Sequence, residues 1–247
     1  MTPTSRKRAP RVEARPPGAG RPDRVVEVYE ELRDLVVRGR LAPGARLVEA
    51  QVVSRLGASR TSVRGALQRL QQEGFVWGGT TGLKGRIAVA PLTSTDAVEL
   101  FQVVAEIEGL AAENASQLAL TPRQSLVADI NRLNEEYRRI APAPRPDGDR
   151  LFALDTDFHW LYVKAGAGPR LLGLHLAIKP QIERYVRIYQ TALTEAIQTS
   201  VVEHAAVVAE IATGSGRGAQ DAVRTNWRNA AARLRLVIDA RGESGSW

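Results

Sequence analysis

The alternation of apolar and polar positions changes character at Asp23 and again beyond Pro91. From Asp23 onward, Val25, Val28, Tyr29, Leu32, Leu35 and Val36 recur at helical spacing until Gly39 stops the run. Pro43-Gly44 marks a turn. Leu47, Val52, Val53 and Leu56 then predict a short second helix closed by Gly57. Ser59 is placed to cap a third helix whose Val63, Leu67 and Leu70 face inward, and Gly74 ends it. Phe75-Val76-Trp77 and Arg86-Ile87-Ala88-Val89 read as two short strands around a glycine-rich turn. Helices followed by a β-hairpin over residues 23–91 form the pattern of a winged helix-turn-helix.

Beyond Pro91 only helical periods remain. One helix runs from Val98 to Leu118, and Thr121-Pro122 is read as a cap with proline at the first helical position of a second, which reaches about Ile140. The proline-rich stretch APAPRPDG (141–148) breaks the pattern. Helical segments follow at about 149–166, 168–190, 194–213 and 217–240, punctuated by Gly166, Gly168-Pro169 and Gly214-Ser215-Gly216. The expected fold is mainly α: an N-terminal winged helix-turn-helix, then an all-helical bundle over 92–240 with room for a ligand and for dimerisation. Residues 241–247 are left as a tail.

Composition narrows the chemistry. Hydrophobic residues make up 44% and charged residues 25% of the 247, the balance of a folded globular chain. Without cysteine, disulfides, thiolate catalysis and cysteine-ligated metals are excluded. No run of apolar residues is long enough for a membrane span, and residues 1–20 lack the apolar stretch of a secretion signal. A cytoplasmic, nucleoid-associated protein with no membrane partner is the expectation.

Charge is unevenly spread. Residues 1–22 carry six basic side chains against one acid, and residues 23–91 carry eleven against seven. Residues 92–247 reverse the balance, seventeen against nineteen. A basic front on a slightly acidic back suits a polyanion-binding module joined to one that avoids polyanions. The first 22 residues, rich in Pro, Gly and Arg, read as a disordered basic tail.

In the third helix Arg60, Thr61, Arg64 and Gln68 lie opposite the apolar stripe, with Ser59 at its start. Cationic side chains near a helix N-terminus suit the major groove, where a guanidinium pairs with guanine or clamps phosphate. Lys84 and Arg86 on the hairpin are placed for the backbone or minor groove.

The stretch LRDLVVRGRLAPGARLVEAQVVSRLGASRTSVRGALQRLQQEGFV resembles the GntR family of bacterial transcription regulators. The matching marks include Gly39, Pro43-Gly44, Glu49, Leu56-Gly57, Ser59-Arg60-Thr61, Val63-Arg64 and Glu73-Gly74. The resemblance implies contact with double-stranded operator DNA by Arg60, Thr61 and Arg64, with wing-tip Gly82 near the minor groove. Ser62 stands where the family usually has proline, and Gly65 where it usually has glutamate.

His159 follows Asp155 by one helical turn, and His204 lies on a separate predicted helix. A carboxylate and two imidazoles suit zinc or another borderline divalent ion, although an Asp–His pair at this spacing often only hydrogen bonds internally. Residues 94–238 resemble the FCD-type effector domain of the fatty-acid-regulator branch of GntR proteins, through LFQVVAEIEGLAAENAS, LDTDFHWLYVKAGAGPRLL, EHAAVVAEI and AVRTNWRNAAARL. Many members hold a metal by Asp, His, His and a further His. Asp155, His159 and His204 match the first three, and Asn226 replaces the fourth. A three-ligand site completed by water or effector, a weaker Asn-assisted site, and no metal are all consistent; we take the first as the expectation.

Many members also hold a carboxylate with an arginine where this chain has Val104. An organic-acid effector then needs the metal or another cation, and Lys179, Arg184 and Arg187 are the candidates. Those three are expected on the solvent side of a helix whose inner ridge is Leu171, Leu174, Ile178, Ile182, Tyr185 and Tyr189. Asn226, Val104, Trp160, Tyr162, Tyr185 and Trp227 are the candidate pocket residues. The expected function is a homodimeric regulator, a repressor, released from a pseudo-palindrome by a small molecule and without enzymatic activity. A metal-dependent hydrolase and an effector-free architectural DNA binder are the alternatives.

Overall fold

The computed structural model describes residues 23–78, 86–141, 143, 146–193 and 197–244. The basic tail 1–22 and the wing-tip positions Gly82 and Lys84 lie outside the described residues. Helix α1 (Arg24–Val37) is capped by the Asp23 side chain, which accepts from the Val25 N–H. Its Val28, Tyr29, Leu32 and Val36 are buried. A short strand β1 (Arg46–Leu47) precedes α2 (Glu49–Leu56), so Leu47 belongs to a sheet and not to the second helix. The pattern concealed this because two residues are too few to display a strand period. Gly57 ends α2 with φ of 56°, a left-handed value that favours glycine, and the chain turns directly into α3 (Arg60–Gln72). Strands β2 (Val76–Trp77) and β3 (Ile87–Val89) complete an antiparallel sheet of order β1-β3-β2, with Leu47 opposite Ile87 and Val76 opposite Val89.

Gly65 has a packing reason. A Cβ at this position would sit 3.0 Å from Val25 Cγ1, a contact tight enough that Val25 would have to give by a few tenths of an ångström. Its helix-propensity cost of about 1 kcal/mol relative to alanine accompanies that close approach.

The remaining helices are α4 (Ser94–Ser116), α5 (Leu120–Ile140), α6 (Gly148–Gly166), α7 (Pro169–Leu193), α8 (Ile197–Thr213) and α9 (Gly216–Arg241). Helix α4 is the centre: Ala97, Phe101, Val104, Ala111 and Ala115 are buried along one ridge, and α6, α7, α8 and α9 all pack on it. Its small side chains let α9 lie closely along it. Helix α5 begins at Leu120 with Ala119 as its cap, so Pro122 stands at the third helical position, not the first. Proline is tolerated there because no first-turn N–H has an intrahelical acceptor. Past α9 the chain returns to bridge Ser244 to Leu92.

Helix α7 corrects the expected ridge. Ile182, Tyr185 and Tyr189 are buried, but Leu174 is 59% exposed and His175 takes the inward place. Arg184, expected at the surface, is 2% exposed and donates to the Ala90 carbonyl. Gln181 donates to the Glu73 carbonyl at 2.7 Å, and α1 packs on the same helix. Helix α7 therefore joins the winged helix to the bundle, a contact that periodicity within one segment does not reveal.

Candidate functional site

Two regions carry the chemistry. In the first, Ser59 caps α3 by accepting from the Ser62 N–H at 3.0 Å. Val63, Ala66, Leu67 and Leu70 are buried, while Arg60, Thr61, Arg64 and Gln68 are exposed on the opposite side. Buried Ser62 also meets Ser59 through its hydroxyl at 2.9 Å, which gives a role to the residue standing in place of proline. Arg64 Nε donates to both Glu49 carboxylate oxygens, at 3.0 and 2.9 Å. That leaves its two terminal nitrogens directed by a partner yet unoccupied by it. Arg86 is exposed just before β3.

The second region is a cavity of about 120 Å³ inside the bundle. Phe101, Leu151, Phe152, Ile182 and Trp227 supply apolar walls, and Asp155, His159, Lys179, Ser200 and Asn226 supply polar groups. Asp155 and His159 are one turn apart on α6, and His204 reaches them from α8. Their ligand-type atoms lie within 4.8 Å of one another, with His204 Nε2 at 3.5 Å from Asp155 Oδ1. Both nitrogens of His204 are buried and lack a hydrogen-bond partner among the described residues. Burial pushes its pKa from 6.5 down to about 4, which keeps the ring neutral and its lone pair available. A neutral, unpartnered imidazole beside a carboxylate and a second imidazole fits a divalent metal. Asn226 donates through Nδ2 to Glu203 at 2.9 Å, which turns its amide oxygen to the other side.

The sequence reading missed Glu108. This acid sits on the buried ridge of α4, fully inaccessible, surrounded by His159, Tyr162, His175 and Trp227. Burial alone would raise its pKa, but the facing His159 and His175 hold it well below the usual carboxylate range. A signal existed: Glu108 keeps phase with Phe101, Val104, Ala111 and Ala115, where an acid has no place in an ordinary core.

Four of the expected pocket residues lie elsewhere. Val104 is packed in the helix core, and Tyr162 donates to Glu108 at 2.7 Å. Trp160 stacks on His175 with ring centroids 6.1 Å apart, and Tyr185 donates to Asp96 at 2.6 Å. The buried hydroxyls and ring face each found a polar or aromatic partner in the core. Asn226 and Trp227 do line the cavity. Lys179 also lines it, contrary to the expected surface position, with Nζ 5.3 Å from the Trp227 ring centre. Arg187 pairs with Glu183 at 2.7 Å and lies over the Phe152 ring.

Comparison with known proteins matches both halves. Residues 24–77 match the model of bacterial regulatory proteins of the gntR family, and residues 99–229 match the FCD domain. An HTH-type transcriptional regulator from the TAR-I ttuE-ttuC' intergenic region of Agrobacterium vitis is 28% identical over 58% of this chain and 81% of its own length. A probable D-xylose utilization operon transcriptional repressor of Paenarthrobacter nicotinovorans is 29% identical over 59% of this chain and 62% of its own. The fold resembles E. coli McbR/YncC, with TM-score 0.65 at 18% identity over 89% of this chain and 99% of that one. No described helix is long and apolar enough to cross a membrane. The chain belongs to the GntR family of DNA-binding transcriptional regulators and carries an FCD domain, which removes the hydrolase reading.

Proposed function

We propose that this regulator is a cytoplasmic, homodimeric repressor whose recognition helix α3 reads a pseudo-palindromic operator and whose bundle cavity holds a small organic acid. The observation that carries the DNA half is the exposed Arg60, Thr61, Arg64 and Gln68 row opposite a fully buried apolar face. Ser59, Lys84, Arg86 and Gly82 extend the expected contacts to the helix start and the wing. Pairing of winged helices about a two-fold axis supplies the specificity that a single one lacks. Repression is favoured by the naming of the Paenarthrobacter relative.

In the bundle, Asp155, His159 and His204 are the residues that would hold a divalent metal, zinc by preference for this donor set. A bound metal would supply a Lewis-acid attachment point for an anionic ligand. Lys179 faces the same cavity with no ion-pair partner among the described residues, and replaces the arginine that Val104 displaced. Asn226 offers a hydrogen bond in place of a fourth ligand. The volume limits the occupant: an engineered apolar cavity of about 150 Å³ holds benzene. A small carboxylate suits that interior space, with its charge toward Lys179.

Helix α7 provides the coupling. Lys179, Ile182 and Glu183 face the cavity, while Gln181 and Arg184 bond to the winged helix. A ligand preferring one position of α7 shifts operator affinity by no more than that preference. The test is a panel of small carboxylates screened by thermal shift on zinc-loaded protein. Those that raise the melting temperature are expected to weaken operator binding. Stabilising carboxylates that leave operator affinity unchanged contradict the reading.

A further inference from the structure

We infer that Glu108 is a positioning residue for the metal site: it fixes the ring tautomer of His159 so that Nε2 is presented for ligation. Glu108 lies outside the Asp155, His159 and His204 group, and nothing in the family match assigns it this task. Its Oε2 meets His159 Nδ1 at 2.6 Å, Tyr162 OH at 2.7 Å and Trp227 Nε1 at 2.9 Å. Its Oε1 meets His175 Nε2 at 2.9 Å. A carboxylate only accepts, and the indole N–H only donates. Tyr162 OH also lies 2.6 Å from His159 Nδ1 but gives its proton to Oε2, so the His159 nitrogen facing the carboxylate carries the hydrogen and, in the neutral ring, the other nitrogen carries the lone pair. By the same logic His175 holds its hydrogen on Nε2, which leaves its buried Nδ1 without a partner among the described residues.

The arrangement is more than a salt bridge filling a core. Apolar side chains would fill the same volume without desolvating an acid, since the carboxylate sits on an otherwise apolar ridge. Its four partners come from α6, α7 and α9, so one acid on α4 sets the orientation of a ring facing the cavity. A carboxylate behind a ligating imidazole fixes the ring and raises its basicity, and its loss typically costs about 10- to 100-fold in metal affinity.

The ligation half of this inference rests on the metal reading; the tautomer half stands without it. Histidine-selective ¹⁵N labelling of the full-length, metal-stripped protein reads the tautomers by long-range nitrogen–proton correlation. Wild-type His159 is expected as the Nδ1–H form and His175 as the Nε2–H form. In Glu108→Gln the amide oxygen keeps His159 unchanged, while its NH₂ turns His175 to the Nδ1–H form. Cobalt(II) titration, followed by visible absorption, is expected to show about ten-fold weaker binding in Glu108→Gln. Glu108→Leu should give mixed His159 tautomers and a larger loss, and Glu108→Gln decides the matter if the leucine variant does not fold. His159 found as Nε2–H in the wild type overturns the inference, as does equal cobalt affinity in Glu108→Gln. Wild-type protein that binds no cobalt removes the metal reading, and the tautomers alone then decide whether Glu108 orients the ring.

Discussion

His204 illustrates how a single side chain registers its surroundings. It is 1% exposed, stacks on Phe158 with ring centroids 4.1 Å apart, and lacks any hydrogen-bond partner among the described residues. Burial lowers its pKa from 6.5 to about 4. The unfolded chain then takes up a proton before the folded one does, so stability rises with pH between those two values. Metal-stripped protein should keep its full stability above about pH 6.5 and lose up to about 3 kcal/mol on descending toward pH 4. Urea unfolding across that range, with His204→Phe as the comparison, measures the difference. An unchanged slope in the phenylalanine variant would contradict the assignment. Arg64 is a residue of the opposite kind, 71% exposed at its side chain. Its ion pair with Glu49 contributes little stability in water, but it holds the guanidinium beside the start of α2 through Nε alone.

Among the elements, α7 departs most from its sequence pattern. Apolar period alone made Leu174 inward and Arg184 outward, because hydrophobicity marks a buried face only when the neighbour is apolar too. Here the neighbours are the Glu108 carboxylate and the Ala90 carbonyl, and they call for His175 and Arg184. Helix existence and order were legible: glycine and proline punctuation placed every helix of the bundle near its observed range. The Asp155, His159 and His204 group was legible for a related reason, since one pair shares a helix face and the third member has few histidine competitors. The partners of Glu108 and the inward place of Lys179 were not, because each depends on side chains distant in sequence; only the buried phase of Glu108 on its own helix could be read. If α7 couples the cavity to the winged helix, Arg184→Met should keep the ligand-induced melting shift while reducing ligand control of operator affinity. Paired thermal-shift and fluorescence-anisotropy titrations separate the two effects. Loss of both together would make Arg184 a support of the bundle alone.

At the scale of the whole molecule, charge and architecture divide in the same place. The basic front forms the winged helix with its cationic α3 face, and the slightly acidic remainder forms a bundle around a cavity. Buried Arg184 ties the two together at a cost, since burial lowers its pKa to about 10 and leaves Nε without a partner among the described residues. A tie of this kind suits the coupling proposed above, in which the placement of the two parts depends on what the cavity holds. An architectural DNA binder has no use for a cavity lined by Asp155 and His159 of a metal-type triad and by a lysine with no ion-pair partner among the described residues. Sequence-selective DNA recognition by the amino-terminal part is what every other proposed role depends on. Its most direct measurement is selection of genomic fragments by the full-length protein at moderate salt, followed by affinity titration of the enriched sites with wild type and Arg64→Ala. An enriched inverted repeat is expected, bound about 1–3 kcal/mol more weakly by the variant while random duplex is bound alike. Fragments without a shared repeat, bound equally by both proteins, would contradict it.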